Sequence, residues 1–293
     1  MALRLSTGLR NKILGINTNL LTNGDFGTDF SGWTQLTGTT QRVASTGAVS
    51  GTGYAECVNA GSDPAKFTNT SAVTVKSNRL YKLTYYYQKP TSSGVAGMVS
   101  VGSTSGGTEV ISVIHNDTAG SWVKKEYTFR TGASQTALYL SFQTNTAVAS
   151  DKCWFDQISL TDAAASLQEI FYKCFIQIFS GSQPASPDSV PSGTLLCTIY
   201  SDGTSAGLSF DDAASGTIAK AAAETWSGTA VATATAGWFR LTAPGDTGAL
   251  STTEERIDGS VATSGSQLNM SSTSITSGAV QTISTFTITM PSE

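Results

Sequence analysis

The stretch RLYKLTYYYQK, from Arg79 to Lys89, restricts what this chain can fold into more than any other. Tyr81, Leu83, Tyr85 and Tyr87 fall on one side of an extended backbone, and Lys82, Thr84, Tyr86 and Gln88 on the other. That is the two-residue period of a strand with one face in a core; a helix of ~3.6 residues per turn would scatter the same residues around its axis. ALYLSFQTN repeats the pattern, with Leu138, Leu140 and Phe142 inward and Tyr139, Ser141 and Gln143 outward. AGMVSVGS, TEVISVIHN, SWVKKEYTFR and CWFDQISL read as further strands, with Gly, Ser, Asn and Asp between them. Short strands at that spacing predict a sandwich or jelly roll between Leu20 and Asp162.

The pattern changes after Asp162. Ser166 followed by Glu169 is a capping box, and Leu167, Ile170, Phe171 and Cys174 recur at helical spacing, which predicts a short helix over Leu167 to Lys173. CFIQIFSG then alternates as a strand, SQPASPDSVPSG is a proline-punctuated loop, and the remainder returns to β: TLLCTIYS, GLSFDD, GTIAKAAAETWSG, TAGWFRLTA, ERIDGSV and VQTISTFTITMP. Lys220 to Glu224 favours helix by propensity, but it is short and lies between Gly216 and Gly228, so it reads as a strand edge or turn.

Composition narrows the function classes. Charged residues make up 13% of the 293 residues, against a typical ~25%. With a net charge of -4 and a pI near 5.1, no positive field would gather phosphate backbones, so nucleic acid is not an expected partner. Arg4, Ser6, Thr7, Arg10, Asn11 and Lys12 interrupt every apolar run near the N-terminus, so no signal-peptide core is present there. No stretch approaches the ~18 consecutive apolar residues of a membrane span, and a soluble chain without membrane contact is expected. The four cysteines divide into Cys57 with Cys153 and Cys174 with Cys197. A chain made in a reducing cytosol is expected to keep them as buried free thiols.

Two resemblances bear on architecture. LLTNGDFGTDFSGWTQ and CWFDQISLTD, which bracket Leu20 to Asp162, resemble the first and last strands of the jelly-roll carbohydrate-binding modules found beside glycoside hydrolases. The resemblance implies a sugar-binding jelly roll. It also implies a structural calcium ion held by an acid after the Phe of the first motif and by the Asp of the closing strand. Gly27 stands where the acid would be, so Asp156 remains as a weak calcium candidate and no metal or cofactor is expected. The second resemblance is to a family of small tailed-bacteriophage structural proteins. It rests on FIQIFSGSQPASPDSVPSGTLLCTI, AKAAAETWSGTAVATATAGWFRL and RIDGSVATSGSQLNMSSTSITSGAVQTISTFTITM. In that family a Ser-Thr-Gly-Leu-Arg-Asn opening leads almost directly into the short helix. Here Ser6 to Asn11 match the opening, yet the helix does not arrive until Ser166.

An insertion reconciles the two: residues 15–165 form the jelly roll, and residues 1–14 belong with residues 166–293 in a discontinuous domain. The expected fold class is therefore all-β, two β-sandwich domains, with the jelly roll inserted near the N-terminus of a split sandwich that carries one or two short helices.

Catalysis has little to work with. His115 is the only histidine and has no nucleophile-elbow motif near it, so it reads as a solvent-facing loop or strand-end residue. Asp211 with Asp212 and Glu254 with Glu255 are adjacent pairs that an extended chain would point to opposite faces. STSGGTE lacks the lysine and following helix of a phosphate loop. No enzyme is expected. Sugar sites stack aromatic rings on pyranose faces beside amides and hydroxyls, which makes outward Tyr86 and Tyr139, with Gln88 and Gln143, the candidate glycan contacts. The same tyrosines could instead cover a sandwich interior. Trp122 is open to either role, and Trp33, Trp154, Trp226 and Trp238 read as core.

The function expected from these readings is that of a non-enzymatic phage virion structural protein, a capsid decoration or cement protein whose split domain binds the particle and whose jelly roll projects outward. Its expected partners are the major capsid protein or other virion proteins, copies of itself in a homo-oligomer such as a trimer, and a glycan. Its place would be the virion, assembled in the host bacterial cytoplasm. The alternative is a tail or fibre adhesin that recognises bacterial surface carbohydrate.

Overall fold

The computed structural model describes residues 3–61, 63–90, 94, 96–146 and 148–290. The chain forms two compact units, Asn17–Ala163 and Met1–Ile16 with Ala164–Glu293. Both are built almost wholly from antiparallel strands, with helices at Thr7–Ile13 and Leu167–Ile170. The all-β expectation holds, down to the two short helices.

In the first unit two sheets face each other. The five-stranded sheet runs in the spatial order Val123–Arg130, Leu80–Gln88, Lys152–Asp162, Gly53–Val58, Thr39–Ala44. The other runs Trp33–Thr37, Lys66–Asn69, Ala137–Thr144, Gly97–Gly102, Ile111–His115, with Val73–Thr74 added beside Ala137–Thr144. Alternation puts Leu83, Tyr85, Tyr87, Leu138, Leu140 and Phe142 inside with no exposure. Across the interior, Phe142 meets Tyr85 and Phe155 at ring-centroid distances of 5.5 and 5.1 Å, the edge-on contacts aromatic quadrupoles favour.

The Asn-Gly-x-Phe element is a close backbone contact. Ile158 donates its N–H to the Gly24 carbonyl at 2.8 Å, and a Cβ on Gly24 would stand 1.9 Å from the Ile158 carbonyl oxygen, so only glycine fits. Leu20 donates to the Leu160 carbonyl at 2.8 Å, which brings the two ends of the unit side by side.

In the second unit the main sheet runs Arg4–Leu5, Arg256–Ala262, Ala234–Thr242, Phe175–Ser180, Leu195–Ile199. Two ribbons, Thr217–Ala219 with Thr287–Thr289 and Trp226–Thr229 with Val280–Ile283, supply Ile218, Ile288, Trp226 and Ile283 to a core shared with Ile176, Ile178, Leu196 and Phe239. The other side of the sheet is also covered. Trp238 stacks on Phe179 there at 4.5 Å, and its indole donates to the Ser192 carbonyl of the proline loop. Arg240 and Arg256, both fully buried, pair with Asp258 and Asp246 and donate further hydrogen bonds to the carbonyls of Ser189 and Pro187 in that loop.

Leu167–Ile170 is shorter than its periodicity predicts. Ser166 caps it through Glu169, but Lys173 takes a left-handed φ of 60° as the chain turns into the Phe175–Ser180 strand, so tertiary pairing ends the helix early. Lys220 to Glu224 is a turn leading into the strand at Trp226.

Candidate functional site

The face that brings the most chemistry together is the outer side of the five-stranded sheet in the Asn17–Ala163 unit. Each strand whose apolar residues alternate inward must present its other residues outward. Tyr86 is thus placed opposite Lys124 on one side and Asp156 on the other, and Gln88 opposite Trp154. Trp154 is in turn opposite Glu56, and Glu56 opposite Gln41.

Two features share this face. The first is a cleft of about 670 Å³ with Tyr86 among its lining residues, together with Asp25, Ser50, Lys124, Gln157 and Ser159. Its volume lies within the range of small-molecule sites. Asn19 and Asn23 also line it, though their side chains are engaged: Asn19 accepts from the Leu160 N–H at 3.0 Å, and Asn23 donates to the Ser31 carbonyl at 2.9 Å. The second is an aromatic cluster: Tyr54 lies 4.7 Å from Trp154 and 5.6 Å from Trp122, centroid to centroid. The Trp154 indole donates to Glu56 Oε2 at 2.9 Å, and Gln41 donates to Glu56 Oε1 at 3.2 Å, so a buried carboxylate anchors the ring of a half-buried tryptophan. Burial, and Glu56 beside it, push the Tyr54 hydroxyl above its ordinary pKa, leaving it a neutral donor.

The loop after Thr39–Ala44 ties these features together. Asp156 accepts from the Val49, Ser50 and Gln157 N–H groups, at 2.8, 3.3 and 2.7 Å, and Trp122 donates from its indole to the Gly47 carbonyl at 2.8 Å. Asp156 is therefore a loop anchor whose carboxylate oxygens face backbone amides. Burial is the main influence on it and raises its pKa. Among the described residues no group of three or more His, Cys, Asp or Glu is placed to hold a metal ion. At the corner where the motif resemblance would place a cation, Arg42 donates to the carbonyls of Phe26, Gly27 and Thr52 at 2.6, 2.8 and 2.9 Å.

The four sequence-derived glycan candidates do not converge. Tyr86 and Gln88 lie on the outer face just described, but Tyr139 and Gln143 lie on the outer face of the opposite sheet. A whole sandwich thickness, about 10 Å between sheets, separates the two pairs. Tyr86 and Tyr139 are half-buried, Gln88 and Gln143 are buried, and Gln143 points its amide at the Met98 sulfur.

Two expectations about burial differ from the structure, in opposite directions. Trp154, read as core, faces outward. Its neighbours Cys153 and Phe155 both have no exposure, so the alternation of CWFD already carried that signal. His115, read as a solvent-facing loop or strand-end residue, does end the strand Ile111–His115, but it is 4% exposed and enclosed by Tyr85, Tyr87 and Tyr127 from other strands. Trp33, Trp226 and Trp238 are buried as expected.

No protein-family profile matches the chain. A comparison with curated proteins likewise finds no match. Among solved structures the chain is similar to Family 16 Carbohydrate Binding Module-2, with 20% identity over 48% of this chain and 99% of that one, at a TM-score of 0.40. It is also similar to TmCBM61 in complex with β-1,4-galactotriose, with 19% identity over 50% of this chain and 99% of that one, at a TM-score of 0.38. A third similar structure is the enzymatically active domain of tailspike protein 4 of bacteriophage CBA120, with 14% identity over 48% of this chain, 21% of that chain and a TM-score of 0.39.

Proposed function

We propose that the protein is a non-enzymatic virion protein whose inserted jelly roll binds carbohydrate through the outer face of its five-stranded sheet. The observation that carries this reading is the Tyr86 cleft beside the Tyr54, Trp122 and Trp154 cluster. Sugars are recognised by rings that cover their C–H faces and by polar groups that bond their hydroxyls. Asp25, Ser50, Lys124 and Gln157 supply the polar part around Tyr86. Hydrolysis of a glycosidic bond calls for two convergent carboxylates. Asp25 is the one carboxylate among the lining residues, and Asp156 behind it is committed to backbone amides.

What supports the particle half of the reading is the resemblance of Ser6 to Asn11 and of residues 166–293 to phage structural proteins. In that setting the split domain attaches the chain to the major capsid protein or another virion protein, as a closed homo-oligomer such as a trimer. A decoration protein would be present in hundreds of copies per particle, whereas the adhesin alternative would be present in few; a stained gel of purified virions separates them.

The sugar site is tested by titrating host-surface oligosaccharides into the purified chain by calorimetry. Binding should weaken at least tenfold in Tyr86→Ala and in Trp154→Ala, each checked for an unchanged melting profile. Affinity that survives both substitutions, or no binding to any glycan of the panel, would refute the site.

A further inference from the structure

All four cysteines are free and buried, but the two pairs are not equivalent. Cys57 and Cys153 are direct partners in the register between Gly53–Val58 and Lys152–Asp162. Opposed residues of antiparallel strands have Cα atoms about 4.5 or 5.5 Å apart, both within the ~4.4 to 6.8 Å span that a disulfide bridges. Their side chains also run the same way: Cys57 Sγ reaches the Phe142 carbonyl at 3.7 Å and Cys153 Sγ the Gln143 carbonyl at 3.4 Å, successive residues of one strand of the opposite sheet. Cys197, by contrast, is opposite Ile178, four residues along the chain from Cys174. At ~3.3 Å per residue that offset is about 13 Å, beyond a bridgeable distance.

We propose that Cys57 and Cys153 are a latent cross-strand disulfide, closed by a small-molecule disulfide oxidant whenever the chain folds or opens locally in an oxidising medium, while Cys174 and Cys197 stay as thiols. The pair's place in the sheet suits this. Each cysteine is one residue from the end of its strand, next to Val58 or Lys152, where local opening is least costly. Within the closed sheet both sulfurs have no exposure, and burial raises the Cys153 thiol well above its ordinary pKa, so exchange waits for that opening.

The exchange balances with glutathione disulfide as oxidant. One cysteine, as thiolate, attacks a glutathione sulfur and expels one glutathione thiolate. The second then displaces the other glutathione, so that one S–S bond breaks outside the protein and one forms within it. Both cysteine protons leave with the two glutathiones. The new bond would lock together the two strands whose next residues, Glu56 and Trp154, form the hydrogen-bonded pair on the outer face.

The test refolds the full chain from denaturant in a glutathione redox buffer and maps its peptides. The expected product has lost two hydrogens in intact mass, carries one crosslink joining Cys57 to Cys153, and retains two reactive thiols on unfolding. Its jelly-roll transition should rise by roughly 10 °C and return on addition of dithiothreitol, since the bond closes a long loop in the unfolded chain. A Cys174→Ala/Cys197→Ala variant should behave identically, and a Cys153→Ala variant should form no crosslink. Four remaining thiols, a crosslink through Cys174 or Cys197, or mixed glutathione adducts alone would overturn the assignment.

Discussion

His115 has its side chain enclosed by three tyrosine rings, with the Tyr85 hydroxyl hydrogen-bonded to Nε2. Burial, reinforced by Lys125 and partly opposed by Asp117, lowers its pKa from 6.5 to about 4. A histidine whose folded pKa is depressed holds its stabilising neutral form above the unfolded pKa and forfeits it as pH falls through the folded one. Urea unfolding of the jelly roll should therefore weaken between pH 6.5 and pH 4, by about 3 kcal/mol at the full shift. A His115→Phe variant should lose that slope. Arg42 gives a second prediction at this scale. Removing a guanidinium that serves three backbone carbonyls should cost about 2 kcal/mol in Arg42→Ala, read by the same unfolding curves. Chelators should leave the wild-type midpoint unchanged. Neither role is visible in SVIHNDTAG or TQRVAST, because the rings that enclose His115 and the carbonyls that Arg42 bonds lie on other segments of the chain.

At the scale of elements, the first residues of the chain show how a local pattern acquires its meaning. Leu3 and Leu5 alternate as in a strand, while Leu9 and Ile13 have helical spacing with Ser6 or Thr7 as the cap. In the fold Arg4–Leu5 is the edge strand beside Arg256–Ala262, and Ser6 is the cap, with its Oγ accepting from Leu9 at 3.1 Å and donating to the Glu254 carbonyl at 2.7 Å. Gly8 packs so closely that a Cβ would lie 2.4 Å from the Thr253 carbonyl oxygen. Leu9 has no exposure and belongs to the core of Ala164–Glu293. Leu9→Ala should accordingly cost about 3 kcal/mol in the unfolding of that unit, and deletion of residues 1–14 should cost more, while the melting of the jelly roll stays in place. A shift in the jelly-roll transition alone would contradict the packing. Trp154 is the converse case: its indole was legible as outward from CWFD, but its setting was not, because Tyr54 and Glu56 come from the neighbouring strand Gly53–Val58 and Trp122 from the segment just before Val123–Arg130.

For the whole molecule, each of the two units has its own hydrophobic core. Calorimetry should resolve two transitions, with Asn17–Ala163 expressed alone reproducing one of them. The all-β class and most strand positions followed from the chain itself, because a strand's two-residue period is written wherever one face is buried and the other is not. The same local information set the Ser166 cap and narrowed the cap of the first helix to Ser6 or Thr7. Tertiary structure alone decided which strands became neighbours. That choice put Tyr86 and Tyr139 on opposite outer faces and drew His115 into the interior. It also made Cys57 and Cys153 register partners while leaving Cys174 and Cys197 apart. Periodicity records which side of a strand faces the core, but pairing order depends on contacts between residues far apart in sequence, which no single segment encodes.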